Sequence, residues 1–224
     1  MRRITLVLGV AVTMAVMVVL ITGSVLAKDS QQKQTYVDEV VATQYFAIPG
    51  SAAWFRGEAK DIEGDGNPGI DGELDTKITY SGTPGPGVTT DITGGSWVLC
   101  SNVTPDPPNP QIQAVCAPGS AIALQGTVKD GTAVWDTDGD TASVPTGLLP
   151  PSPPCIPVYG GAAQVEAVFT VRPGGTVNGV PVTEKGIGHF KGTLDHSPLL
   201  DYKCPGDDPG LYHAKLTGTL ELKF

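Results

Sequence analysis

Basic side chains are scarce in this chain, which has 14 Lys and Arg against 23 Asp and Glu over 224 residues and a net charge of −9. That balance argues against nucleic acid or an anionic lipid surface as a partner, because both need a concentration of Lys and Arg. Cysteine is absent before Cys100, which excludes lipid attachment to a cysteine near the amino terminus. No Cys-x-x-Cys pair and no closely spaced His pair occurs, so the ligand spacing of a zinc site is missing. No serine sits in a Gly-x-Ser-x-Gly sequence, the elbow that exposes a nucleophile in many hydrolases. With no catalytic signature, the chain reads as non-catalytic.

Against these absences stands one long apolar run. Ile4–Ile21 is uncharged, follows Arg2 and Arg3, and leads to the small-residue sequence Thr22-Gly23-Ser24-Val25-Leu26-Ala27. A charged start, an apolar core and small residues before a break describe a cleavable signal for export over residues 1–27. The alternative is an uncleaved membrane anchor, since the run is long enough to span a bilayer. Either account places the remainder outside the cytoplasm and limits membrane contact to residues 4–21. Residues 28–35 are polar and Gln-rich, as in a flexible tether. Residues 36–224 then form a single β-domain, and the part after residue 27 carries 12 basic and 23 acidic side chains.

All four cysteines, Cys100, Cys116, Cys155 and Cys204, lie in that exported part. An even number in an oxidising compartment implies two disulfides. Three pairings exist, and Cys100–Cys116 is favoured because these two bracket the Pro-rich excursion Thr104–Pro110, which cannot join a central strand. Cys155–Cys204 follows by elimination.

Apolar residues recur with a period of two. Tyr212, Ala214, Leu216, Gly218, Leu220, Leu222 and Phe224 share one face of the last segment; Leu74, Thr76, Ile78 and Tyr80 share another, and so do Val165, Ala167, Phe169 and Val171. Such alternation describes half-buried antiparallel strands. Asp130-Gly131 and Asn178-Gly179 read as two-residue hairpin turns, and Pro and Gly clusters mark long loops. Residues 35–45 fit either a helix, with Val37, Val40, Val41 and Tyr45 on one side, or a strand, because they are rich in β-branched residues. Gly57, Gly126, Gly192 and Gly218 each occupy an apolar row in mid-strand. Repeated inward glycines coil a sheet towards closure, so the expectation is an all-β fold, an antiparallel and mainly meander β-barrel, with a two-sheet β-sandwich as the alternative.

Two acidic runs suggest a cation. Asp61, Glu63, Asp65, Asn67, Asp71 and Glu73 supply oxygens at alternate positions around glycines, and Asp136, Asp138 and Asp140 do so again. Oxygen ligands in a wrapping loop are what calcium demands. The first run resembles the start of an EF-hand or dockerin-type loop, but Gly72 stands at the twelfth position and Glu73 comes one residue late. The competing account for both is a solvated acidic turn. Trp54 shares a face with Arg56, Glu58 and Lys60 and is the candidate exposed platform for a ligand. His189 and His213 fall about four residues apart on neighbouring strands when His213 is set opposite Thr193, too far for one metal, and His196 reads as a lone surface histidine. Asn102-Val103-Thr104 has the form of a glycosylation sequon.

Three functions fit this pattern. The first is an exported non-catalytic binding or structural module, with calcium as a stabilising ion. The second is a barrel holding a small apolar ligand, with isomerase- or cyclase-like chemistry in its cavity. The third is a carbohydrate-binding sandwich that uses Trp54. No pattern sets the oligomeric state.

Overall fold

Alternating burial decides the architecture. In β1 (Thr35–Ile48), Asp38, Val40, Ala42 and Gln44 are buried while Glu39, Val41 and Thr43 between them are exposed. The segment that fitted helix or strand is therefore a strand, as its β-branched residues favour. The computed structural model describes residues 34–48, 50–104, 113–145, 155–201 and 214–224.

From β1 the chain runs as a meander through β2 (Ala52–Asp61), β3 (Gly72–Ser81), β4 (Thr89–Cys100) and β5 (Ala123–Trp135). A small separate pair follows, β6 (Thr141–Pro145) with β7 (Cys155–Tyr159). Strand β8 (Ala162–Val171) then pairs with β5. A hairpin of β9 (Thr176–Val177) and β10 (Val180–Pro181) leads to β11 (Gly186–Asp195), a 3-10 turn at Ser197–Asp201, and β12 (Lys215–Lys223). Strand β11 joins β8 to β12, and β12 pairs with β1 along Thr35↔Lys223 to Thr43↔Lys215. That last pairing closes an eight-stranded antiparallel barrel of β1, β2, β3, β4, β5, β8, β11 and β12, and rules out the sandwich.

The inward glycines make the closure sterically feasible. A Cβ at Gly126 would stand 1.6 Å from the Thr170 carbonyl oxygen and 2.7 Å from Trp97 Nε1. Trp97 Nε1 uses that gap to donate to the same Thr170 oxygen at 3.0 Å. Gly192 and Gly218 face each other across β11 and β12, and a Cβ on either would meet the other's Cα within 2.8 Å. Glycine here serves close backbone approach.

One expected turn is not a turn. Strand β5 runs unbroken through Asp130-Gly131, with only a register shift between Val128 and Asp130 against β8. Gly131 is in the sequence for space, because a Cβ there would lie 2.2 Å from the Glu166 carbonyl oxygen. Asn178-Gly179 does turn a hairpin, both residues having positive φ (51° and 78°), as that two-residue turn requires. The β11–β12 register also differs from expectation: Thr193 opposes Thr217 rather than His213. His213 lies outside the described residues, and His189 is exposed opposite Glu221.

The two barrel ends differ. At one end Trp97, Leu99, Leu124, Val171, Leu220 and Leu222 fill the interior. The loop after β2 folds over this end, where Ile70 is fully buried as a plug. Pro68 O accepts from Val37 N, and the Asp38 carboxylate accepts from Ile70 N. The bridge Cys100–Cys116 forms as expected, with a Cα separation of 5.3 Å, and joins the end of β4 to the loop that follows it. There Gln113 Nε2 donates to Asp75 O at 2.8 Å. Cys204 lies outside the described residues, so the Cys155–Cys204 pairing does too.

Candidate functional site

At the opposite end the inward residues are smaller, among them Ala47, Ala53 and Ala133, and the barrel is hollow. A cavity of about 300 Å³ lies between the ends of β1, β3, β5 and β11 and the starts of β2, β4, β8 and β12. Phe55, Ile78, Ile92, Val165, Leu194 and Leu216 form its walls, and Pro157, Val158 and Tyr159 of β7 together with Leu199 of the 3-10 turn lie over it. None of the lining residues is Asp, Glu, Lys or Arg. Pockets of this size and polarity, with few polar groups, suit small apolar molecules.

The polar groups of the cavity divide into those the protein already satisfies and those it does not. Trp135 Nε1 donates to Thr90 Oγ1 at 3.2 Å, and Thr90 Oγ1 lies 3.4 Å from the Ala133 carbonyl oxygen. Tyr80 Oη accepts from Gly50 N at 3.2 Å. The Tyr159 hydroxyl donates to Asp136 Oδ1 at 2.6 Å and accepts from Gly139 N at 2.9 Å. Thr83 is exposed, which leaves Gln44 and His196 as the buried ones. The Gln44 side chain is buried and forms no hydrogen bond with a described residue. His196 Nδ1 lies 3.1 Å from the Tyr159 carbonyl oxygen, its Nε2 is buried without a partner, and its ring packs on Trp135 at 4.7 Å. Burial pushes the imidazole down to about 4, so it is neutral at pH 7 and, facing a carbonyl, carries its proton on Nδ1. His196 is a core residue of the cavity and not the surface histidine expected from its sequence neighbours.

Trp54 also departs from expectation. It does face outward with Arg56, but it is only 2 % exposed. Phe46 covers it edge-on at 5.2 Å, and Lys77 Nζ sits 4.9 Å from the ring centre. A register shift between Gln44 and Phe46 brings Phe46 opposite Trp54, a bulge the sequence does not announce. Trp54 therefore offers no open ring for stacking. Beside it, Arg56 Nη2 pairs with the buried Asp75 Oδ2 at 2.7 Å, and Tyr45 Oη lies 3.3 Å from the same oxygen.

The acidic residues serve largely as acceptors for backbone donors. Asp65 Oδ1 accepts from Asn67 N at 2.7 Å, Asp71 Oδ1 from Asp61 N at 2.8 Å, and Glu73 Oε2 from Val103 N at 3.0 Å. Glu63 is exposed. In the second run both Asp136 oxygens are occupied, by Tyr159 Oη and by Ala162 N at 2.9 Å, and the Tyr159 hydroxyl holds its carboxyl below the usual range. Asp138 and Asp140 are exposed. Among the described residues no three His, Cys, Asp or Glu side chains converge in a way that would hold a metal ion.

Asp38 stands apart from these surface acids. It is fully buried, its Oδ2 has no partner, and desolvation raises its carboxyl to about 6, with Asp61, Asp71 and Asp65 adding to the effect and the Ile70 N–H opposing it.

No protein-family model, no curated protein and no solved structure matches this chain.

Gln44 and His196 were missed in the sequence for different reasons. The signal for Gln44 is a polar residue in the inward row Val40, Ala42, Gln44, visible only once the segment is read as a strand. His196 follows Asp195 at a strand end and carries no local sign of burial.

Proposed function

We propose that this protein is an exported carrier or receptor for one small, mainly apolar molecule, held in the barrel cavity. The observation that carries the reading is the hollow end itself: about 300 Å³ bounded by apolar walls with no charged side chain, in a barrel whose other end is tightly packed. Cores are normally filled to crystal-like density, so a purely structural module has no physical reason to leave one end empty. The disulfide supports an extracytoplasmic setting, and the apolar run at residues 4–21 supports export, cleaved or anchored. The carbohydrate reading lacks the open tryptophan it needs.

Titration with N-phenyl-1-naphthylamine, a neutral dye that brightens in apolar surroundings, tests the proposal. A saturable one-to-one rise in fluorescence with micromolar affinity is expected. A weak linear rise, as from any exposed apolar surface, would refute it.

A further inference from the structure

The two unsatisfied polar groups of the cavity occupy one stretch of wall. Gln44 N donates to Ala214 O at 2.8 Å across the β1–β12 pair. On the other side of β12, Leu194 opposes Leu216 and Asp195 opposes Lys215, and continuing that register sets His196 opposite Ala214. Gln44, Ala214 and His196 thus form one inward row over three neighbouring strands. The outer two are separated by two strand spacings, roughly 10 Å. Gln44 and His196 both line the cavity, and Ala214 between them is fully buried. Apart from the exposed Thr83, the remainder of the wall is apolar or already hydrogen-bonded within the protein.

Resting on the carrier reading, we propose that the ligand is an apolar molecule bearing one hydroxyl group, which docks between the Gln44 amide and His196 Nε2. The Tyr159 carbonyl holds the proton on His196 Nδ1, so Nε2 is an acceptor and needs a donor from the ligand. The Gln44 amide can give the same oxygen a proton in return. A hydroxyl satisfies both groups at once. A ketone, ester or ether oxygen accepts from Gln44 but leaves Nε2 unpaired, and a bare hydrocarbon leaves both unpaired. A carboxylate would turn its negative charge towards the Nε2 lone pair in a cavity lined by no Lys or Arg. A buried polar group left without a partner is what lets a site discriminate sharply among ligands of the same shape.

The test uses the mature protein and five compounds on one skeleton: decalin, decalin-2-ol, its methyl ether, 2-decalone and decalin-2-carboxylate. Each is measured by displacement of N-phenyl-1-naphthylamine and directly by native mass spectrometry. The alcohol should bind at least ten times more tightly than the ether, the ketone and the hydrocarbon, and the carboxylate should be the weakest. In Gln44→Leu and in His196→Phe the ratio of alcohol to ether affinity should fall towards one. If either variant fails to fold, the other variant and the wild-type series still decide. Equal affinity of alcohol and hydrocarbon, with saturable dye binding intact, would overturn the hydroxyl assignment and leave the carrier reading standing. Tightest binding by the carboxylate would overturn it in favour of an anionic ligand. Failure of every compound and of the dye would overturn both.

Discussion

The carboxylate of Asp38, fully buried on β1, accepts a hydrogen bond from the backbone N–H of Ile70, and so ties the acidic loop to the barrel end that Ile70 plugs. One oxygen of that carboxylate is used and the other is not. The strain of this arrangement depends on whether Asp38 is charged.

Its carboxyl is raised from 3.8 to about 6, so the folded state binds a proton more tightly than the unfolded chain. Its stabilising contribution is therefore complete below pH 3.8 and is lost as pH rises through 6. A shift of this size corresponds to about 3 kcal/mol. Asp38→Asn keeps an acceptor for Ile70 N and removes the charge. It should be more stable than the wild type at pH 8 by up to about 3 kcal/mol, with the advantage gone at pH 4. Urea denaturation at the two pH values checks this, and an Asn variant less stable than the wild type at both would contradict it.

His196 has the opposite sign. Its imidazole is lowered from 6.5 to about 4, so its contribution is present above pH 6.5 and is lost as pH falls towards 4. In the Asp38→Asn background this loss should emerge as acid destabilisation between those values. The same urea experiment at pH 6.5 and pH 4 reads it, and equal stability at the two would contradict it.

We keep calcium as a proposal for the 61–73 loop alone, because Asp38 Oδ2, on the strand this loop is tied to, is buried without a partner. An ion bound only by the folded state raises stability with concentration, by about 2.7 kcal/mol at a hundredfold excess over its dissociation constant. The melting temperature at pH 8 should then rise with free calcium, and the rise should vanish in Asp38→Asn. Identical melts in EDTA and in millimolar calcium would assign both acidic runs to solvated turns.

The strand pattern was open to reading because burial on one face imposes a period of two. The inward rows Leu74–Tyr80, Val165–Val171 and Leu216–Leu222 could be named from residue type alone. Inward glycine at 57, 126, 192 and 218 pointed correctly to a closed barrel. Asp130-Gly131 misled because local turn chemistry is the same whether a glycine turns the chain or clears space for a neighbouring strand. Trp54 misled because its cover, Phe46 and Lys77, comes from a bulge in β1 and from the neighbouring β3, neither visible in its own strand. The cavity was the least legible feature of all. Its lining is spread over many strands, with small residues such as Ala47, Ala53 and Ala133 among larger ones, and no single segment contains a signal for space.

The bridge Cys100–Cys116 closes a short loop in which Gln113 Nε2 donates to Asp75 O of β3. Closure of a loop of this length limits the unfolded chain and is worth about 3 kcal/mol. Replacing both cysteines by alanine should lower the melting temperature by several degrees while leaving the far-ultraviolet spectrum of the barrel unchanged. A melting temperature equal to that of the wild type would show the loop to be held by its hydrogen bonds alone.

The central claim is that the hollow end of the barrel is a binding site, and filling it is the most direct measurement. Ala133 is buried on β5 and lines the cavity. Ala133→Trp places an indole in space that is already there, so the cost of overpacking, usually about 1–3 kcal/mol in a full core, should be small. Titrating the folded variant and the wild type in parallel with N-phenyl-1-naphthylamine should show saturable binding in the wild type and none in the variant. Unchanged affinity in a folded Ala133→Trp protein would contradict the account, because the dye would then be binding somewhere other than the barrel cavity.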